Sequence, residues 1–180
     1  MKRITTRDQQ DLIIRKVMER LDSLFMEMIS FDAGSAERIQ HFTKVHSFAR
    51  IIGLGERLDK KTQELLEATA YIHDIGIRIA EEKYGRSNGH LQEELGPDVA
   101  IKMLTKVGYE VETIQRIAYL VGHHHTYTAI DGLDYQILVE ADFLVNLYER
   151  GSGVKEIASV RKKIFKTQSG LSLFDKMYLL

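Results

Sequence analysis

The sequence predicts an all-α fold. Apolar residues recur at three- and four-residue steps almost throughout, and the two-residue alternation of half-buried strands is nearly absent. Capping residues and glycines divide this pattern into helix-sized pieces. At 180 residues the chain suits one domain with a sizeable core rather than two ordinary ones.

The first helix is expected over about 8–29. Ser35 can cap a second over 35–56, whose end is weakened by Gly53 and Gly55. Asp59 can cap a third, 60–75, carrying the apolar run LLEATAYIHDIG that stops at Gly76. From Gly76 to Gly89 the chain is polar and glycine-containing, with EEKYGRSNG at its core, and reads as a loop. Helices over 90–106, 110–124, 133–149 and 153–166 follow, which makes seven, with a further short one within 171–179. Gly96-Pro97 is expected to interrupt the fourth of these, with Pro97 in the first turn of a fresh helix. Gly108, Gly132 and Gly151-Ser152-Gly153 mark later turns. The terminal LSLFDKMYLL is expected to pack back on its own chain, with a homo-oligomer as the alternative.

The composition narrows the chemistry. An apolar fraction of 44% with 28% charged residues is that of a soluble globular protein. The 25 basic and 26 acidic residues give no global field for a nucleic-acid duplex or an anionic membrane. With no cysteine, thiolate ligands, disulfides and a cysteine nucleophile are excluded, and a metal site must use histidine and carboxylate. The N-terminus MKRITTRDQQ lacks the apolar stretch of a signal peptide, and no later run approaches the ~18 residues that span a bilayer, so the expected location is the cytoplasm.

Four residues stand out against this background. His41 lies on or beside the apolar stripe of Ile39, Val45, Phe48, Ala49 and Ile52, and so points inward. His73 and Asp74 end another inward-facing run. Asp142 sits among Leu138, Val139, Phe143, Leu144 and Val145, where an ionised carboxylate costs several kcal/mol unless it is paired or binds a metal. Two imidazoles and two carboxylates on helical segments are what a buried site for a divalent ion such as Mn, Fe, Ni, Co, Mg or Zn needs.

The order and context of these residues resemble the HD superfamily of metal-dependent phosphohydrolases. Three stretches carry the likeness: RIQHFTKVHSFARII around His41, His73-Asp74 with Ile75-Gly76, and ILVEADFLVNL around Asp142. They cover about 35–148, with the N-terminal and C-terminal helices expected to pack on that core. The resemblance implies a single-domain helical HD fold around a buried metal site. It assigns His41, His73, Asp74 and Asp142 to one divalent ion, and gives Asp74 the further role of orienting the attacking water.

A second ion or a substrate contact would draw on His124, His125 or His90. The triplet His123-His124-His125 resembles the additional histidines of the dinuclear HD-GYP cyclic-dinucleotide phosphodiesterases, and helical phase from Val121 turns His124 and His125 inward and His123 sideways. In that branch a histidine lies four residues before a glycine, and here that position is Gln92. Ile77 replaces the lysine that follows the His-Asp-Ile-Gly sequence, and the Gly-Tyr-Pro triad is missing near Asp131-Gly132, which argues against that activity. Glu37, one turn before His41, reads as a solvated glutamate, and His46 as structural or exposed. Arg38, Lys44, Arg78, Lys83 and Arg86 are the cations available for a phosphate. Arg78 and Arg86 are preferred because they flank the segment after the His-Asp pair.

The expected function is therefore metal-dependent hydrolysis of a small phosphorylated, nucleotide-like substrate by an activated water. The alternatives are a nucleotide-sensing HD domain without turnover and a di-iron HD oxygenase.

Overall fold

The computed structural model describes the backbone of residues 6–178 and the side chains of 19–178. Within them lie nine helices and no strand: α1 Thr6–Phe31, α2 Ala36–Gly55, α3 Lys60–Ile72, α4 Gly76–Tyr84, α5 Gly89–Val107, α6 Val111–Val121, α7 Leu133–Glu149, α8 Val154–Ile164 and α9 Gln168–Tyr178. Among the described residues no helix is long and apolar enough to cross a membrane.

α3 and α7 form the centre. Eleven of the seventeen residues of α7 are buried, as expected of a helix covered on all sides. α2 packs on both, α1 lies against α3 and α5, and α6 closes the other flank of α3. The shared core includes Ala49, Ile52, Leu66, Ile72, Leu120 and Leu138.

Two sequence expectations are corrected. The segment from Gly76 to Gly89 is not a loop, because α4 occupies most of it. His73 and Ile75 keep right-handed helical backbone angles. Tight bonds from Ile75 N to Ile72 O (3.0 Å) and Ile77 N to Asp74 O (2.9 Å) return the chain to a helix at once. Ala80 is buried while Glu81, Glu82 and Lys83 face water, so the short helix has an inward side that its polar composition hides. Gly76 starts it for a steric reason: a Cβ there would lie 2.6 Å from Gln92 O and 2.9 Å from its Cα, so α4 and α5 touch backbone to backbone.

Pro97 does not begin a fresh helix either, since α5 runs through it. The missing N–H leaves the Glu93 carbonyl without its helical donor. Contact with α6 outweighs that loss. A Cβ on Gly96 would meet Val121 at 2.7 Å, and one on Gly122 would meet the Pro97 ring at 3.1 Å, so small residues on both sides let the two helices close.

The last two helices pack on each other and on α7, and α9 also reaches α2. Phe174 is fully buried, and the Tyr178 hydroxyl donates to Leu144 O at 2.9 Å. Leu179 and Leu180 of the apolar terminus lie outside the described residues. Glu140 clasps this part of the fold. Its fully buried carboxylate accepts from Lys166 N (2.6 Å), Thr167 N (2.9 Å), the Thr167 hydroxyl (2.5 Å) and Gln136 Nε2 (2.8 Å).

Removing that acceptor strands the buried Thr167 N–H and hydroxyl and the partly buried Lys166 N–H, with about 1–3 kcal/mol for each fully buried donor. Glu140→Ala is expected to destabilise the protein by about 3 kcal/mol in urea unfolding. A loss under about 1 kcal/mol would show that the clasp contributes little.

Candidate metal centre

The three central segments deliver the candidate ligands to one place. His41 comes from the first half of α2, His73 and Asp74 from the turn that closes α3, and Asp142 from the middle of α7. His73 is wholly buried, and Asp142 is 5% exposed. α6 ends at Val121, earlier than its apolar pattern predicts, and His124 arrives on the turn beyond it, 2% exposed.

The imidazoles are oriented from behind. His41 donates its Nδ1–H to Glu149 Oε2 (2.8 Å), His73 to Ala70 O (3.0 Å) and His124 to Val121 O (2.8 Å). Carbonyl and carboxylate oxygens only accept, so Nδ1 carries the hydrogen in each ring. Every Nε2 is thereby left to face the interior of the cluster.

Those nitrogens converge. His41 Nε2 lies 3.3 Å from His73 Nε2, and Asp142 Oδ1 lies 3.2 Å from the first and 3.6 Å from the second. Asp74 turns Oδ2 toward both at 3.4 Å, while its Oδ1 stands 3.3 Å from His124 Nε2. Two groups with ligand atoms within 4.8 Å of one another result, His41/His73/Asp142 and Asp74/His124/His125, and Asp74 joins them. Lone pairs and carboxylate oxygens packed this closely repel unless a cation sits among them.

The titration behaviour of the groups follows. Burial acts to lower the pKa of His41, but Asp142, Asp74 and Glu149 together lift it to about 9. Burial likewise works against Asp74 and Asp142, yet the surrounding imidazoles hold both below the usual carboxylate range. A divalent ion does what those protons do, with nitrogen and oxygen donors that suit it and two carboxylates that balance its charge, so the residues present fit the group.

The other candidates fall at different distances from this cluster. His125 gives Nε2–H to Gln92 Oε1 (2.5 Å) and stands over Gly89, whose Cβ would touch its ring at 2.9 Å. Gln92 therefore occupies the wall of the site where the dinuclear pattern would place a histidine. His90 is exposed at the start of α5 and does not line the cavity. His123 stacks on Tyr119 at 4.2 Å and bonds its carbonyl, away from both groups. His46 is half-buried, stacked on Tyr71 at 4.0 Å and bonded to Glu67 at 3.1 Å.

A cavity of about 360 Å³ opens onto the cluster, lined in part by His41, Asp74, His125 and Asp142. Arg38 and Arg150 line it as well, whereas Arg78, Arg86, Lys44 and Lys83 do not. Arg78 is held by Phe31 O and by Glu82 at 2.9 Å. Glu37 stays exposed at the rim.

Several residues around the site escape the sequence reading. Asn146 Nδ2 donates to Asp142 Oδ1 at 2.7 Å, and Glu149 holds His41. With Asp142 they form a polar stripe at four- and seven-residue spacing, a signal that helical phase could have exposed. The Tyr135 hydroxyl bonds His123 O and, at 2.7 Å, Thr126 O, fixing the turn that carries His124.

Family models and curated proteins give no match to the chain. Among solved structures, a predicted HD superfamily hydrolase from an uncultured Thermotogales bacterium matches over 90% of this chain and 84% of that chain. The TM-score is 0.60, at 24% identity. This chain has the HD-domain fold.

Asp142→Ala removes one charge and one ligand atom from the cluster while leaving the apolar faces of α3 and α7 in place. Folded mutant protein is expected to lose bound divalent metal, read by elemental analysis beside the wild type. Full occupancy in the mutant would remove Asp142 from the ligand set.

Proposed function

We propose that the chain is a metal-dependent phosphohydrolase acting on a small phosphate ester of nucleotide-like size. The observation that carries this reading is the convergence of His41, His73, Asp74, Asp142 and His124 beside a cavity that also contains two guanidinium groups. The HD superfamily hydrolase of the comparison supports the reaction class. A divalent ion, when bound by His41, His73, Asp74 and Asp142, supplies an acidified water and polarises a phosphoryl oxygen.

The chain's own residues do the rest. Arg38, steadied by Glu81 and by Asp32 at 3.6 Å, and Arg150 offer planar donors to phosphate oxygens. Asp74 spans both ligand groups, which supports its role of orienting the attacking water and taking its proton. Glu149 keeps His41 in the tautomer that leaves Nε2 unprotonated, and Asn146 holds Asp142 against rotation. A second ion, where one binds, would draw on the group of Asp74 with His124 and His125.

Two measurements test the proposal. Protein loaded in turn with Mn, Fe, Ni, Co, Mg and Zn is expected to release phosphate from at least one ester in a panel of nucleotides, sugar phosphates and cyclic dinucleotides, and a silent panel would sink the reading. His124→Ala should lower turnover at least about tenfold, equivalent to ~1.4 kcal/mol of transition-state stabilisation, while His123→Ala should change it far less. Equal losses in the two variants would place the whole turn, rather than His124, behind the effect.

A further inference from the structure

The near-neutral charge of the chain is unevenly spread. Residues 150–180 carry seven basic and two acidic side chains, a net of +5, whereas 1–149 carry eighteen and twenty-four, a net of −6. The positive surplus is concentrated on α8, VKEIASVRKKI, and the turn that follows it. With a step of about 100° per residue, Ile157, Val160 and Ile164 fall on one stripe and Lys155, Ala158 and Lys162 on the opposite one. The first three are half-buried against the core, while the other three, with Lys163, Lys166 and Val154, are exposed. No residue of α8 is fully buried, so the helix lies on the surface with its outer side open.

Internal pairing does not account for this face. Among the described residues no carboxylate pairs with Lys155, Lys162, Lys163 or Lys166, and Asp175 is taken up by Arg161 at 2.6 and 2.7 Å. Glu156 is the one acidic residue of α8. The helix dipole favours Lys162 and Lys163 in the last turn but disfavours Lys155 in the first. Lys166 turns its ammonium back to Lys162 O at 3.5 Å, which keeps it beside the helix, and its backbone is fixed by Glu140.

Such a face complements an anionic surface. Its free cations are lysines, point charges without a guanidinium fork, and α8 has no aromatic residue on which a base could stack. Val154, 74% exposed on the flank of the lysines, and the exposed Ala158 add apolar contact, which suits the headgroup boundary of a bilayer better than a phosphate backbone. We propose that α8 docks the protein on an anionic lipid bilayer through Lys155, Lys162, Lys163 and Lys166, independently of the chemistry at the metal centre. Each lysine near such a surface is worth about a fivefold gain in partition, and the attraction fades within a Debye length, so the docking is reversible and salt-sensitive.

Cosedimentation of the full-length protein with phosphatidylcholine vesicles containing about one third phosphatidylserine tests this. Binding is expected to exceed that to pure phosphatidylcholine at least about tenfold at ~0.1 M salt, and to be lost by ~0.5 M. Equal binding to the two compositions, or none to either, overturns the proposal. Lys155→Gln/Lys162→Gln/Lys163→Gln should lower the partition at least about tenfold with the unfolding midpoint unchanged. Lys60→Gln/Lys102→Gln, at exposed lysines elsewhere, should lower it less than about threefold, and equal losses in the two variants remove α8 as the docking face. Should the triple variant not fold, Lys155→Gln/Lys166→Gln, judged by the same partition, takes its place. A single-stranded RNA oligomer that binds more tightly than the vesicles and displaces the protein from them overturns the lipid assignment in favour of a nucleic-acid face.

Discussion

Everything in this structure is arranged around the need for positive charge between Asp142, Asp74 and the Nε2 atoms of His41 and His73. No hydrophobic packing can satisfy those groups, because His41, His73 and Asp142 are buried, Asp74 is half-buried, and each presents an acceptor to the others. Burying such a set is unfavourable on its own, and the apolar faces of α2, α3 and α7 hold it together. The core thus does more than stabilise the fold. It holds a constellation that would spread apart in water.

The same constraint explains which residues gather behind the ligands. Glu149, Asn146 and the carbonyls of Ala70 and Val121 each satisfy the far side of a ligand, so the near side has one direction left open. Tyr135 acts one step further back by fixing the 123–126 turn, and Arg116 pins the same region through its fork on Asp134 at 2.8 and 2.9 Å. The polar network and the helix packing therefore specify one geometry between them.

Much of the fold was legible because helical periodicity is a local property. The inward phase of His41 and the apolar surroundings of Asp142 could be read directly, and the two residues do meet in the structure. The 76–84 segment misled because its inward side rests on a few positions, chiefly Ala80, among charged neighbours. Pro97 misled because its preference is local, while the reason α5 continues is the fit of Gly96 and Pro97 against Val121 and Gly122. Arg38 and Arg150 could not be picked from other arginines, since cavity lining depends on how several helices meet. Gln92 was visible as a departure from a pattern, but its bond to His125 was not. Asp32 carried no signal, because burial of a turn residue is decided by whatever folds over it.

His73 and His124 share a local device. His73 follows directly on α3 and His124 lies in the turn just past α6, and each returns its Nδ1–H to the carbonyl three residues earlier, one of the acceptors that a helix terminus leaves unused. Both ring torsions are therefore frozen by their own helix ends, independently of the rest of the cluster. Capture of an ion then loses little side-chain entropy at these two ligands, and the thermodynamics of loading are left to proton release and to the water shed by the ion itself.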